Sequence, residues 1–311
     1  MISSLSPQSQ RFIADTERVQ ATISKASLQI SSGKAVNVAS DAPDVISGLL
    51  QLRSVLQRNT QITSNLGLAK SDADSAESAL NASVQLMDRA VTLAAQAANT
   101  TTDATARQTI ATEVGSLLEQ MVSASQTQAE GRFVFSGDKE NSPSYQLDLA
   151  SGNGVDQLVN AAATRQIEHP AGGSFSASKT AQEIFDQRNA DGTYANDNVF
   201  AALNGLRNAL LIADDSTALA AVQNQIPLIH QAADHLNVCL AYYGTVQNRI
   251  QDATTFGAQY DLRIKTQISQ LEDADVVAAS LEVSQGTTHL QAAFQMESQI
   301  PRSTLFDFLT Q

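Results

Sequence analysis

Apolar and small side chains recur in steps of four and three near both ends of the chain. From Phe12 the stripe passes through Thr16, Val19, Ile23, Ala26 and Ile30. Near the other end Ala279, Val283, Gly286, Leu290 and Ala293 keep the same steps, and Met296, Leu305, Phe308 and Leu309 prolong the apolar character. Alternating steps of three and four make the seam of a coiled coil, which stays unburied until a facing helix covers it. Two such seams at opposite ends predict that the ends pair with each other and then with neighbouring molecules. That pattern suits a building block better than an enzyme.

The stretch between the seams reads as long helices around an insert. The first helix spans roughly Gln8 to Ser32 and stops at Gly33, a residue suited to the left-handed position past a helix end. Lys34 to Ala39 reads as an extended connector. Ser40-Asp41-Ala42-Pro43 has the form of a helix start, with a capping side chain and a proline in the first turn. The second helix is predicted from Pro43 to about Ala98, with a seam at Ile62, Leu66, Ala69, Ala73, Ala76, Leu80, Val84, Met87, Val91, Ala94 and Ala98. Its spacing contains one doubled step of four, at Leu80 to Val84. At 1.5 Å per residue this helix is about 85 Å long. Asp103 or a neighbouring threonine should cap a third helix bearing Ile110, Val114, Leu117, Met121 and Ala124.

From Gly131 the texture turns β-like, with strand candidates at 132–137, 145–149, 155–159 and 165–168 and glycines between them. Helix returns at Val199. A final helix is predicted from about Thr217 to Leu309, with Pro227 in its first turns or at a kink. The expected fold is mainly α: long antiparallel rods made by paired N- and C-terminal segments, carrying a small β-rich inserted domain. The expected division is a terminal assembly region at 1–42 and 271–311, a helical rod core at 43–130 and 199–270, and an outer insert at 131–198.

Composition narrows the function. The net charge is −13, which argues against a nucleic-acid or membrane-surface partner, since these attract basic clusters. No run of apolar residues reaches membrane-spanning length, and the N-terminus lacks the basic and apolar parts of a secretory signal. The single cysteine, Cys239, excludes an internal disulfide framework and sits among apolar neighbours, as a small buried hydrophobe would.

His169, His230, His235 and His289 are scattered without metal-ligand spacing. Ser32-Gly33-Lys34 lacks the earlier glycine and following hydroxyl of a phosphate loop, and Asp72-Ala73-Asp74 lacks the rest of a calcium loop. No cofactor, metal or catalytic residue is expected. Asp273 and Asp275 read as caps of a following helix.

A family resemblance joins these features. Ser32, Gly33, Lys34 and Asn37, followed by Ser40, Asp41 and Pro43, resemble the N-terminal signature of the bacterial flagellin and flagellar hook-associated protein 3 family. Leu271-Glu272-Asp273-Ala274-Asp275, then Gln291-Ala292-Ala293 and Leu305-Phe306-Asp307-Phe308-Leu309, resemble the matching end. Gly131-Arg132-Phe133-Val134-Phe135-Ser136-Gly137 and the Leu305–Leu309 ending, with Pro43 after the Ser40-Asp41 cap, resemble the hook–filament junction branch more than flagellin, although Ala42 departs from both patterns by replacing the expected second acid.

The resemblance implies an extracellular flagellar component, exported unfolded through the type III channel without a cleaved signal. It implies assembly with copies of itself, neighbouring hook-associated protein and flagellin subunits, with an export chaperone on the C-terminal seam. Flagellin itself is the alternative, and a type III secretion tip protein a more distant one. A chemoreceptor-like coiled coil would need a membrane span, and a helical-bundle enzyme a titratable cluster. Without the resemblance, the residues alone describe a helical bundle with an insert.

Overall fold

The computed structural model describes residues 7–99, 103–161 and 163–299. Seven α-helices and six short strands follow in the order α1 (Pro7–Ser32), α2 (Pro43–Ala97), α3 (Ala104–Ser125), β1 (Gln128–Ala129), β2 (Arg132–Phe133), β3 (Tyr145–Leu147), β4 (Val155–Gln157), β5 (Gln166–Glu168), β6 (Ser174–Ser176), α4 (Ala181–Phe185), α5 (Val199–Leu210), α6 (Asp215–Glu272) and α7 (Val276–Gln299). The expected mainly-α fold with a small β insert is observed. The chain divides into two compact units, residues 59–260 and residues 1–58 with 261–311.

In the 59–260 unit, the long helices α2, α3, α5 and α6 and the short α4 share one core. On α2, Asn59, Ala79 and Leu93 are buried beside a buried seam at Ile62, Leu66, Ala69, Ala73, Ala76, Leu80, Ser83, Met87, Ala90, Ala94 and Ala97. This is an unbroken alternation of four and three, so the doubled step expected at Leu80–Val84 is corrected. Val84, Val91 and Ala98 are only half-buried, and the smaller Ser83, Ala90 and Ala97 occupy the seam. Size misled the reading, because a heptad seam accepts small residues and lets helices approach closely. The Ser83 hydroxyl stays satisfied there by donating to the Ala79 carbonyl at 2.8 Å.

The α6 seam mirrors this with Ala218, Val222, Ile229, Ala232, Leu236, Cys239, Tyr243, Val246, Ile250 and Ala253, all buried. The two helices run antiparallel: Asn59 donates to the Gly257 carbonyl at 2.9 Å, while Gln247 bonds Glu77 at 2.7 Å. α3 begins where Asp103 accepts from the Ala106 amide at 2.7 Å, as expected. Asn198 caps α5 and Asp214 caps α6 in the same way.

Three readings change. The last helix is two, α6 and α7, broken at residues 273–275. Pro227 lies well inside α6, which continues past it to Glu272. Asp41 does not cap α2. Its carboxylate turns backward and accepts from the amides of Asn37 and Val38, both at 2.9 Å, so it folds the connector.

The insert holds three antiparallel hairpins, β1–β2, β3–β4 and β5–β6. It also contains the short helix α4, which the sequence reading missed; Thr180 and Glu183 cap it reciprocally. Of the expected 132–137 stretch only Arg132–Phe133 forms a strand, because the chain then turns through a left-handed Gly137. β3, β4 and β5 are shorter than expected, and β6 was not foreseen.

Phe135, Tyr145, Phe185, Phe200 and Tyr243 pack edge-on, tilted or, for Phe185 on Phe200, stacked, at centroid separations of 5.2 to 6.3 Å, filling the contact between insert and helices. Beneath them the fully buried Asp186 accepts hydrogen bonds from Tyr145, Asn153, Asn198 and Arg188. A buried carboxylate is tolerable only with partners of this kind. A half-exposed quartet ties the insert to α2, in which Asp72 and Glu140 each pair with Arg132 and Arg165. Cys239 is buried, as read from its neighbours, and burial pushes its thiol up to about 11.

Candidate assembly interface

The unit formed by residues 1–58 and 261–311 brings the two terminal seams together. α1 and α7 lie antiparallel: Phe12 meets Phe294 edge-on at 6.0 Å, and Val19 and Ile23 face Gly286. Ala26, Ala279 and Gly286 are fully buried, and Phe12, Val19, Ile23, Val283, Leu290 and Ala293 partly so. A Cβ at Gly286 would stand 2.6 Å from the Ile23 Cγ1, so the absent side chain is what permits this approach. Two residues read into the seams depart from them. Ile30 is 36% exposed and Met296 is 70% exposed; Glu297, one residue later, takes the next seam step. Leu305, Phe308 and Leu309 lie outside the described residues.

The pair is thinly packed. Among the described residues, the buried apolar side chains of this unit are Ala26, Val36, Leu49, Ile264 and Ala279. Of the twenty large apolar side chains left exposed among the described residues, twelve belong to this smaller unit, with Val277 at 81% the extreme. A cleft of about 360 Å³ opens between Phe12, Val19, Leu290, Ala293 and Met296. Burying apolar surface stabilises by about 25 cal/mol per Å², and here much of that gain is left unrealised.

The two signature stretches meet at the base of the pair. Gly33 ends α1 in the left-handed conformation (φ +71°), its amide bonded to the Gln29 carbonyl. Lys34 and Asp273 form an antiparallel bridge; the Ala274 amide donates to the Gly33 carbonyl at 2.9 Å and the Ala35 amide to the Glu272 carbonyl at 2.6 Å. The Ser32 hydroxyl receives the Lys34 amide, and the Asn37 side chain donates to the Lys34 carbonyl, which holds the connector in shape. Asp275 caps α7 through the Val277 and Ala278 amides, both at 3.0 Å. Asp273 bonds Ser269 at the end of α6. Ser40 is exposed, and Pro43 opens α2.

Glu272 completes the junction, a role the sequence reading did not assign. Its side chain, only 5% exposed, pairs with Lys34 and, at 2.7 Å, with Arg53 of α2. Burial works against its ionisation, but the hydrogen bonds from Lys34 and Arg53 outweigh this and hold the carboxyl below the ordinary glutamate value. Its place within the Leu271–Asp275 signature stretch was the available signal for Glu272. Nothing in the sequence points to Arg53, 219 residues away.

Among the described residues no cluster of His, Cys, Asp or Glu could hold a metal, and no helix is long and apolar enough to cross a membrane.

Comparison with known proteins agrees with this geometry. Residues 3–140 match the bacterial flagellin N-terminal helical region and residues 226–309 the bacterial flagellin C-terminal helical region. Flagellar hook-associated protein 3 of Escherichia coli (strain K12) is 26% identical over 295 residues, covering 89% of this chain and 90% of that protein. The same protein of Salmonella typhimurium is 25% identical over 302 residues, covering 92% and 93%. The solved flagellar hook-associated protein-3 of Legionella pneumophila shares the fold at a TM-score of 0.60 and 14% identity, covering 71% of this chain and 98% of that one. With both helical ends matched and its relatives covered nearly end to end, the chain belongs to the bacterial flagellin and hook-associated protein 3 family of flagellar structural components.

Proposed function

We propose that this protein is the hook–filament junction protein of its flagellum and polymerises through its terminal helices. The observation that carries the reading is the near full-length similarity to hook-associated protein 3, which favours the junction role over flagellin. The thin α1–α7 pair supports the mechanism, because its exposed apolar residues gain stability when neighbouring subunits cover them. The assembly face then includes Phe12, Val19, Ile23, Ala26, Ile30, Ala279, Val283, Leu290, Ala293 and Met296, together with Leu305, Phe308 and Leu309 beyond the described residues. The partners are further copies, the adjoining hook-associated protein and flagellin, after export without a cleaved signal and with the help of a chaperone. The working division remains terminal segments 1–42 and 271–311 for assembly, 43–130 and 199–270 as the rod, and 131–198 as the outer module.

Deletion of the gene followed by electron microscopy tests the role. Hooks without filaments, with flagellin shed into the medium and filaments restored by complementation, are expected. Filaments growing normally on hooks in the deletion strain would refute the junction reading.

A further inference from the structure

We propose that the β5–β6 hairpin is a splint for α6: one arm of the insert folds back along the rod and holds the helix straight across Gly244 and Gly257. The inference concerns the 59–260 unit alone and stands whether or not the protein joins hook to filament.

Three observations carry it. First, the hairpin touches α6 along one line, from its base to its tip. At the base the Tyr242 hydroxyl donates to the Ser176 carbonyl at 3.2 Å. Further along, the Arg249 guanidinium lies over the Phe175 ring at 4.5 Å. Near the tip the Phe256 ring meets His169 at 5.5 Å. Residues a heptad apart return to the same side of a helix, so these three side chains form a row about 21 Å long. Secondly, Gly257 is suited to receive the tip. A Cβ there would stand 3.3 Å from the Pro170 Cγ and 3.1 Å from the Thr63 Oγ1 of α2, so the missing side chain makes the room. Gly244 has no such reason, since a Cβ there would meet nothing within 4 Å. Interior glycines weaken a helix, and both of these lie within the span that the hairpin covers. Thirdly, the hairpin leans on the rod. β5 and β6 pair with each other in a two-stranded sheet, which is marginal by itself in water. Ile167 and Phe175, partners across it, are buried in the core shared with the rod helices. Arg165 at its base pairs with Asp72 of α2 at 2.7 Å.

Tyr242, Arg249 and Phe256 each stand one residue before a buried seam position, namely Tyr243, Ile250 and Gly257. The seam therefore holds α6 on the α2 side, and the hairpin holds it along the adjoining side. A helix bends where its backbone is least restrained. A bend at Gly244 or Gly257 would change the spacing of the three contact residues, so a hairpin seated on all of them opposes it. One hairpin of the insert thereby gives the rod its stiffness.

The test is hydrogen–deuterium exchange on the full-length monomer, comparing wild type with two variants. Phe175→Ala unseats the hairpin, and Arg249→Gln removes the cation while keeping helix propensity. Amides over residues 244–260 should exchange about tenfold faster in Phe175→Ala. In Arg249→Gln they should exchange about threefold faster, the size of one exposed cation–π contact. Amides of α3 and α5 should keep their wild-type protection in Arg249→Gln, as an internal control for folding. Leu147→Ala, on the β3–β4 hairpin, should leave residues 244–260 unchanged. Wild-type exchange over 244–260 in either variant would overturn the proposal, and Arg249→Gln decides alone if Phe175→Ala does not fold. Equal loss throughout residues 59–260 in Arg249→Gln would also overturn it, as would a wild type whose residues 165–176 exchange without protection.

Discussion

Gly286 sets two effects against each other. Within an isolated helix, replacing glycine by alanine stabilises by about 1 kcal/mol. Here the new Cβ would press on Ile23 at 2.6 Å. Packing should win. Gly286→Val is expected to weaken assembly onto hooks, scored as filament number per cell, while leaving the main thermal transition in place. Spacing alone had placed Gly286 in the seam, because periodicity sees position without needing a side chain.

Glu272 lies at the other limit of legibility. Its neighbours carry the family signature, but its partner Arg53 could be found only in three dimensions. Because its folded pKa is depressed, the stability it contributes is complete above the ordinary glutamate value and lost as pH falls through the folded one. Exchange protection of the Ala35 and Ala274 amides should therefore hold at neutral pH and fall as the medium is acidified past the ordinary glutamate range. Glu272→Gln should remove much of that acid-dependent step.

Among the elements, the rod helices and the terminal helices share one heptad rhythm but differ in how much they bury. Leu236 on α6 is fully buried, whereas Ile23 on α1 is only partly covered. Leu236→Ala should destabilise the 59–260 unit by about 2–5 kcal/mol, read from chemical denaturation. Ile23→Ala should leave that transition unchanged and reduce assembly. The helices were legible because a period of three and four is a strong signal over long stretches. The insert was less so, since strands of two or three residues are too short to show alternation. Their positions depend on the aromatic cluster and on Asp186. The break at residues 273–275 was legible only as the capping pair Asp273 and Asp275, of which Asp275 caps α7. It contains neither glycine nor proline, and the bridge to Lys34 is what holds it open.

For the whole molecule, the contrast between a well-filled unit and a sparsely filled one makes truncation informative. Removing residues 1–30 and 285–311 should leave a folded, monomeric helical protein with the thermal transition of the full chain. The same truncation should fail to restore filaments in a deletion strain. Restoration would mean that the terminal seams are dispensable. The buried Cys239 has a practical consequence for such work. With its thiol pushed up to about 11, about one in ten thousand is ionised at neutral pH. The native chain is thus nearly silent towards maleimides, and a cysteine introduced on α1 or α7 can carry a single dye. The docking of each terminus onto a growing tip can then be watched by fluorescence without first engineering the native thiol away.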